Sequence, residues 1–312
     1  MRGASPNSIA RLRTGDRVIV RPFREILSTL DAQGALDGLP FLPEMLKFCG
    51  HVFTVRRRVD KLIQEGTGSS MRRIRNVVLL EETVCDGRSH GDCQRACFPL
   101  WKTAWLRLAG NERNVDVHAA EPDGERGVRP SDPTLPAGRG CQVTELLEAT
   151  RPLPLWHPAR HFLELKARTY SLREYATYIL KGIHKKTLER LTKRFSGKRT
   201  IPSLYAPDSP LDLKPGDLVE VKSAAEVRAT LDADGRCRGL YFMPGMWAYC
   251  GRRLHVLHPV ARMMSEKTGE MRALKGTVIL EGVTCDGKAH GGCQRGCLVF
   301  WKDVWLRRAG SD

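Results

Sequence analysis

No apolar run in this 312-residue chain approaches the ~18 residues that a membrane-spanning helix needs. The opening stretch, MRGASPNSIARLRTGD, has no apolar core of the kind a secretory signal carries, so export is not expected. Missing too are a Walker loop, a dinucleotide-binding glycine fingerprint, a nucleophile elbow and an HExxH pair, and with them the mechanisms they announce. Acidic residues are in short supply, 35 against 51 Lys and Arg, which leaves a formal net charge of +16. That imbalance points to an acidic partner, nucleic acid or an acidic carrier protein, with no membrane role. What the chain does contain is enough for packed domains. It is 41% hydrophobic and 28% charged, which excludes wholesale disorder, and its length suggests about two domains.

Ten cysteines in a chain without an export signal read as metal-binding or redox residues in a reducing, cytoplasmic setting. They are not scattered. Residues 13–110 and 214–310 are two copies of one unit, in register at an offset of 201 through Cys49 and Cys250 and of 200 thereafter. The copies open RTGDRVIV and KPGDLVEV, and close CDGRSHGDCQRACFPLWKTAWLRLAG and CDGKAHGGCQRGCLVFWKDVWLRRAG. So long a period excludes a solenoid and implies two domains, each with its own core.

Within a copy the pattern is mainly β. Arg17–Arg21 and Leu218–Lys222 alternate apolar and charged residues straight after a Gly-Asp turn. Val52–Val59 and Ile74–Glu81 do the same around a Gly-rich turn at 66–70, as do Leu254–Val260 and Leu274–Glu281. Short helices are expected at 24–30, 43–49 and 225–231, and the ending Trp101–Leu108 fits either a strand or a helix. Residues 111–142 read as a flexible Pro- and Gly-rich linker, and 143–212 as a basic helical connector. In that connector Ser171 and Glu174 form a capping box, and Leu172, Tyr175, Ile179, Ile183, Leu188, Leu191 and Phe195 make an apolar stripe. Lys181, Lys185, Lys186, Arg190, Lys193 and Arg194 populate its other face.

The GDxVxV opening and the short strands resemble a small barrel of the Src-homology-3 type. The longer pattern, CDGxxHGGCQxxCxxFWKxAWL, resembles that of an uncharacterised bacterial cysteine-rich family. Together these imply an α+β, mainly β architecture of two tandem SH3-like barrels, at 11–110 and 213–310. The family resemblance supports the boundaries and carries no reaction.

Eight cysteines fall in equivalent places: Cys49, Cys85, Cys93 and Cys97, then Cys250, Cys285, Cys293 and Cys297. Four thiolates suit zinc or an iron–sulfur cluster, one per copy and two per chain. Cys93 and Cys97, with three residues between them, would share one face of a helical turn, and Gly87 and Gly91 would let the backbone between Cys85 and Cys93 fold tightly. Phe98, Trp101 and Trp105, with Trp301 and Trp305, would shield such a centre, while Arg95 and Arg295 would offset its negative charge. His90 and His290 read as supports that hydrogen-bond to sulfur, or as ligands or acid–base groups, and Asp86 and Asp286 as turn formers or acid–base groups. Glu44, which becomes Gly245 in the second copy, reads as an ordinary exposed glutamate. Cys141 and Cys237 have no counterparts and read as incidental. Two functions follow: a cysteine-ligated metalloprotein with a redox or enzymatic role in small-molecule biosynthesis, or a zinc-stapled module that binds nucleic acid or an acidic carrier protein.

Overall fold

The computed structural model describes residues 12–64, 70–109, 140–167, 170–180 and 211–310. Most of the expected linker, the Gly-rich 66–70 turn save Ser70, and the six basic residues of the connector from Lys181 to Arg194 lie outside the described residues. The chain is mainly β with a few short helices, an α+β class, and forms two compact units. The first unit spans residues up to His157 together with Met264–Arg272.

In the first unit, β1 (Arg17–Val20) enters directly after Gly15 and Asp16. Gly15 takes φ +89°, and the Asp16 carboxylate accepts the Arg13 N–H at 2.7 Å, which closes the turn. Then come α1 (Phe23–Leu27), the hairpin β2 (Ala35–Leu36) and β3 (Leu39–Pro40), and a 3-10 turn at Pro43–Phe48. The long strands β4 (Val52–Ile63) and β5 (Met71–Leu80) follow, then β6 (Trp101–Lys102), a 3-10 turn at Thr103–Trp105, and β7 (Leu106–Leu108). The Trp101–Leu108 ending is thus strand, turn and strand. After it come α2 (Leu146–Ala149) and β8 (Arg151–Pro152). The sheet runs β6-β5-β4-β1-β7, with β8 also on β5. Period-two alternation buries Val18, Val20, Val55 and Val59 on one face. Trp101 and Trp105 are fully buried there, each contributing on the order of 2–3 kcal/mol of burial. The Trp105 indole donates to Thr29 Oγ1 at 3.1 Å, which ties the end of α1 to the core.

The second unit begins with α3 (Pro158–Ala167) and α4 (172–180). The capping box at Ser171 is formed: its N–H donates to Glu174 at 2.8 Å, and Glu174 N–H donates back to Ser171 Oγ at 3.3 Å. The apolar stripe is only partly used, since Tyr175 is buried but Leu172 is 76% exposed. Instead Tyr170 and Tyr175 both stack on Tyr178. Next are β9 (Leu218–Val221), α5 (Ala224–Ala229), β10 (Arg236–Cys237), β11 (Leu240–Tyr241) and a 3-10 turn at Pro244–Tyr249. Strands β12 (Arg253–Pro259), β15 (Thr277–Thr284), β16 (Leu298–Lys302) and β17 (Leu306–Arg308) complete it, while the paired β13 (Arg262–Met264) and β14 (Met271–Ala273) bracket the Met264–Arg272 segment that counts with the first unit. Its sheet runs β16-β15-β12-β9-β17. Where β4 continues to Ile63, β12 stops at Pro259, whose ring offers no N–H to prolong the ladder. No helix among the described residues is long and apolar enough to cross a membrane.

Candidate metal centre

The cysteine loop of the first unit is shaped by its glycines. Gly87 at φ +74° and Gly91 at φ +76° bracket a single 3-10 turn, Arg88–His90. A Cβ on Gly87 would lie 2.1 Å from the carbonyl oxygen of Cys93, so only glycine allows the strand of backbone to pass there. The Cys93 N–H reaches the Gly87 carbonyl at 3.3 Å, and the Cys85 N–H reaches the Cys97 carbonyl at 2.9 Å. This last bond draws the backbone back on itself. Cys93 to Cys97 is therefore an irregular turn with Ala96 at φ +52°, and the helical turn expected from their spacing is not formed.

The loop carries His90 onto Glu44, which arrives from the Pro43–Phe48 turn. Glu44 is not exposed, as its residue type suggested; it is 7% accessible. Its Oε1 accepts the Ser89 N–H at 2.9 Å and the Ser89 hydroxyl at 2.6 Å, and lies 3.2 Å from His90 Nδ1. The other ring nitrogen, Nε2, is 3.6 Å from Cys85 Sγ. Glu44, Cys85 and His90 offer donor atoms that all lie within 4.8 Å of one another, the one such group among the described residues.

Electrostatics follow from this packing. Burial on its own raises the Glu44 carboxyl, but hydrogen bonds from His90 and Ser89 outweigh it and hold the group at about 2. Burial opposes charge on His90, yet Cys141, Cys85, Cys93 and Glu44 push its pKa well above the ordinary histidine range. Cys93 is raised by burial and lowered by more, through His90 and the N–H groups of Met264 and Arg95. Met264 N–H donates to Cys93 Sγ at 3.2 Å. Glu44 Oε2 is buried and has no hydrogen-bond partner among the described residues.

The other expected site residues are placed as follows. Asp86 accepts the Arg88 N–H at 3.3 Å and pairs with Lys47 at 2.9 Å, and Asp286 accepts the Lys288 N–H at 2.9 Å; both are turn formers. Arg95 pairs with the buried Glu266 at 2.7 Å, and Arg295 is buried. Trp101 and Trp301 are core residues with no exposed surface. Cys49 is buried at the end of its 3-10 turn, and neither it nor Cys97 belongs to the Glu44–Cys85–His90 group. In the second unit Cys285 N–H meets the Cys297 carbonyl at 2.8 Å. Burial, opposed by the Gly287 N–H and helped a little by Cys297, Cys293 and Asp286, pushes the Cys285 thiol up to about 11. Burial also raises Cys250, and none of the ten cysteines is in a disulfide. His290 Nε2 lies 3.4 Å from Met243 Sδ, and Gly245 stands where the first copy has Glu44.

No family model, curated protein or solved structure matches this chain. The chemistry of the site therefore rests on its own donors. A histidine whose Nδ1 is fixed by a carboxylate while Nε2 faces a thiol is the arrangement that orients imidazole toward zinc. Tetrahedral bonds of about 2.3 Å to sulfur and 2.0–2.1 Å to nitrogen put the two donors about 3.5 Å apart. The Cys85–His90 separation of 3.6 Å fits that geometry. The same order of groups, carboxylate, imidazole and thiol, can activate a nucleophile, but a nucleophile must reach its substrate and both Cys85 and Cys93 are buried.

Proposed function

We propose that the protein is a zinc-stapled, basic binding protein, with the metal held in the cysteine loop of the first unit. The observation that carries this reading is the buried Glu44–His90–Cys85 array with its mixed carboxylate, nitrogen and sulfur donors. Imidazole with thiolate suits zinc, whereas the iron–sulfur cluster expected from four cysteines draws on thiolates alone. Burial of the donors favours a closed structural site over hydrolytic chemistry, which needs an open position. The net charge of +16 supports an anionic polymer, nucleic acid before an acidic carrier protein, as the bound partner. A reducing, cytoplasmic setting accords with ten cysteines and no disulfide.

The same sheet order in both units, and the same Gly-Asp entry and Trp-to-Thr hydrogen bond, support a duplicated small barrel of the SH3 type. The test is metal analysis of protein purified without oxygen, followed by titration of duplex DNA and RNA at two salt concentrations. Colourless protein holding zinc, with an affinity that falls by a slope of about −0.9 per duplex phosphate neutralised, is the expected result. A brown, iron-containing protein, or one indifferent to nucleic acid and salt, overturns the reading.

A further inference from the structure

The β4–β5 hairpin of the first unit is loaded with arginine. Its two strands read RRR at 56–58 and RRIR at 72–75, with Lys61 in addition and Asp60 as their sole acid. The fold does not require these charges. The second unit builds the same sheet order with Leu257, His258 and Pro259 in place of 56–58, and with Ala273 in place of Arg73. Some of the arginines have local tasks: Arg56 covers the Phe98 ring at 4.4 Å, Arg58 pairs with Asp60 at 2.8 Å, and Arg72 donates to the Thr150 carbonyl at 2.9 Å. Arg73, Arg75 and Arg151 have none. Among the described residues, their side chains enter no hydrogen bond or ion pair. The register sets cations face to face, with Arg73 opposite Lys61 across β4 and opposite Arg151 across β8. One row of three positive charges thus crosses three strands, from buried Lys61 to exposed Arg151. Like charges directly opposite one another weaken a sheet. Exposed Arg75 follows in a bulge, where Ile74, Arg75 and Asn76 stand against Asp60 alone and Asn76 takes φ +55°. The edge of this row leads to an indole. Leu153 N–H donates to the Met71 carbonyl at 2.8 Å, and three residues later Trp156 is 78% exposed, in a turn closed by the His157 N–H on the Pro154 carbonyl at 3.1 Å.

We infer that Arg73, Arg75, Arg151 and Trp156 form a surface for single-stranded nucleic acid, the arginines on phosphates and the indole on an unpaired base. The inference rests on the nucleic-acid part of the proposed function and gives it a place in the first unit. A cationic row that weakens its own sheet is relieved by a polyanion, and a guanidinium meets phosphate oxygens with two parallel N–H groups. An acidic polypeptide would satisfy the charges and leave the indole idle. A single strand uses both, since aromatic side chains beside a basic track are the platforms on which unpaired bases stack. Duplex bases are already stacked on one another, so a duplex engages the arginines alone. The surface is built once per chain, because Arg151 and Trp156 lie outside both repeats and Ala273 replaces Arg73 in the second.

The experiment titrates the full chain against a labelled oligothymidine, a labelled duplex of the same length and polyglutamate, at several salt concentrations. Wild type is expected to bind the single strand more tightly than the duplex, with quenching of the red edge of its tryptophan emission. The triple variant Arg73→Gln, Arg75→Gln and Arg151→Gln is expected to lose about tenfold or more in affinity for both. Its single-strand salt slope should fall by about 2, at about 0.7 per phosphate contact. It should melt no lower than wild type, since it removes like charges set face to face, so that lost binding is not lost fold. Trp156→Ala is expected to weaken the single strand by roughly five- to 150-fold, with the salt slope and the duplex affinity kept. A control with Lys214→Gln, Arg238→Gln and Lys275→Gln removes the same charge from exposed positions of the second unit and should keep the slope. A wild-type chain that binds neither strand nor duplex, or prefers polyglutamate, refutes the nucleic-acid reading and the surface with it. Binding unchanged in the arginine variant, or lowered equally in the control, refutes this inference alone. So does a Trp156→Ala chain that binds the single strand as wild type does.

Discussion

Gly87 has the least freedom of any residue in the cysteine loop. Its positive φ is rarely open to side chains, and its Cβ position is occupied by the Cys93 carbonyl at 2.1 Å, which is backbone and cannot turn aside. Gly87→Ala is therefore expected to cost about 3 kcal/mol or more, and to remove the site with it. Gly91→Ala meets only the mobile Met271 methyl, at 3.1 Å, and should cost less, about 1–2 kcal/mol for the backbone conformation. Denaturant melts of both variants decide the point; equal losses would show that the close pass at Gly87 is not what constrains the loop. The glycines were legible in the sequence. Glu44 was not, because a duplicated sequence draws the eye to what its copies share, and this residue is absent from the second copy. The signal that was available lay in the difference, an acid against a glycine two residues after the Leu42/Met243 position, in a chain short of acids.

At the scale of elements, the sequence was a good guide wherever a local hydrogen bond decides the outcome. The Gly-Asp turns and the Ser171 capping box formed as their side chains dictated. It was a poor guide where a contact distant in sequence decides. The Cys85–Cys97 backbone bond overrides the helical spacing of Cys93 and Cys97, and Leu172 lies in water although it falls on the apolar stripe of α4. Glu174, at the head of α4, shows how such a cap responds to acid. The Lys288 ammonium at 2.8 Å, with Ser171 donating, holds its carboxyl at about 2, below the ordinary 4.5. Because the folded value is the lower one, this contribution is fully present above about 4.5 and is lost as pH falls toward 2. Glu174→Gln should remove that part of the acid dependence, and carboxyl NMR of wild type should place the Glu174 midpoint near 2. A midpoint near 4.5 would mean the cap and the ion pair do not persist in solution. Added salt should shift the midpoint upward, since the pair is exposed.

The whole molecule joins two small cores, and small cores are the ones that gain from a staple. A ligand that binds only the folded state stabilises it by RT ln(1 + [L]/Kd), about 4 kcal/mol at a thousandfold excess over Kd. Calorimetry with and without a chelator is therefore expected to show a lower melting temperature for the transition that includes the first unit, while the second unit is unmoved. Equal effects on all transitions, or none, would exclude a staple confined to one loop.

Four of the six tryptophans, Trp101, Trp105, Trp301 and Trp305, have no exposed surface, whereas Trp156 is 78% exposed. The intrinsic emission of the chain is thus divided by depth. The blue side belongs to indoles sealed in the two cores, and the red side is dominated by one indole in water. A soluble quencher takes the red light first and leaves the blue. Whatever loosens either core shifts the remaining colour, so the protein carries its own optical gauge of packing without a label.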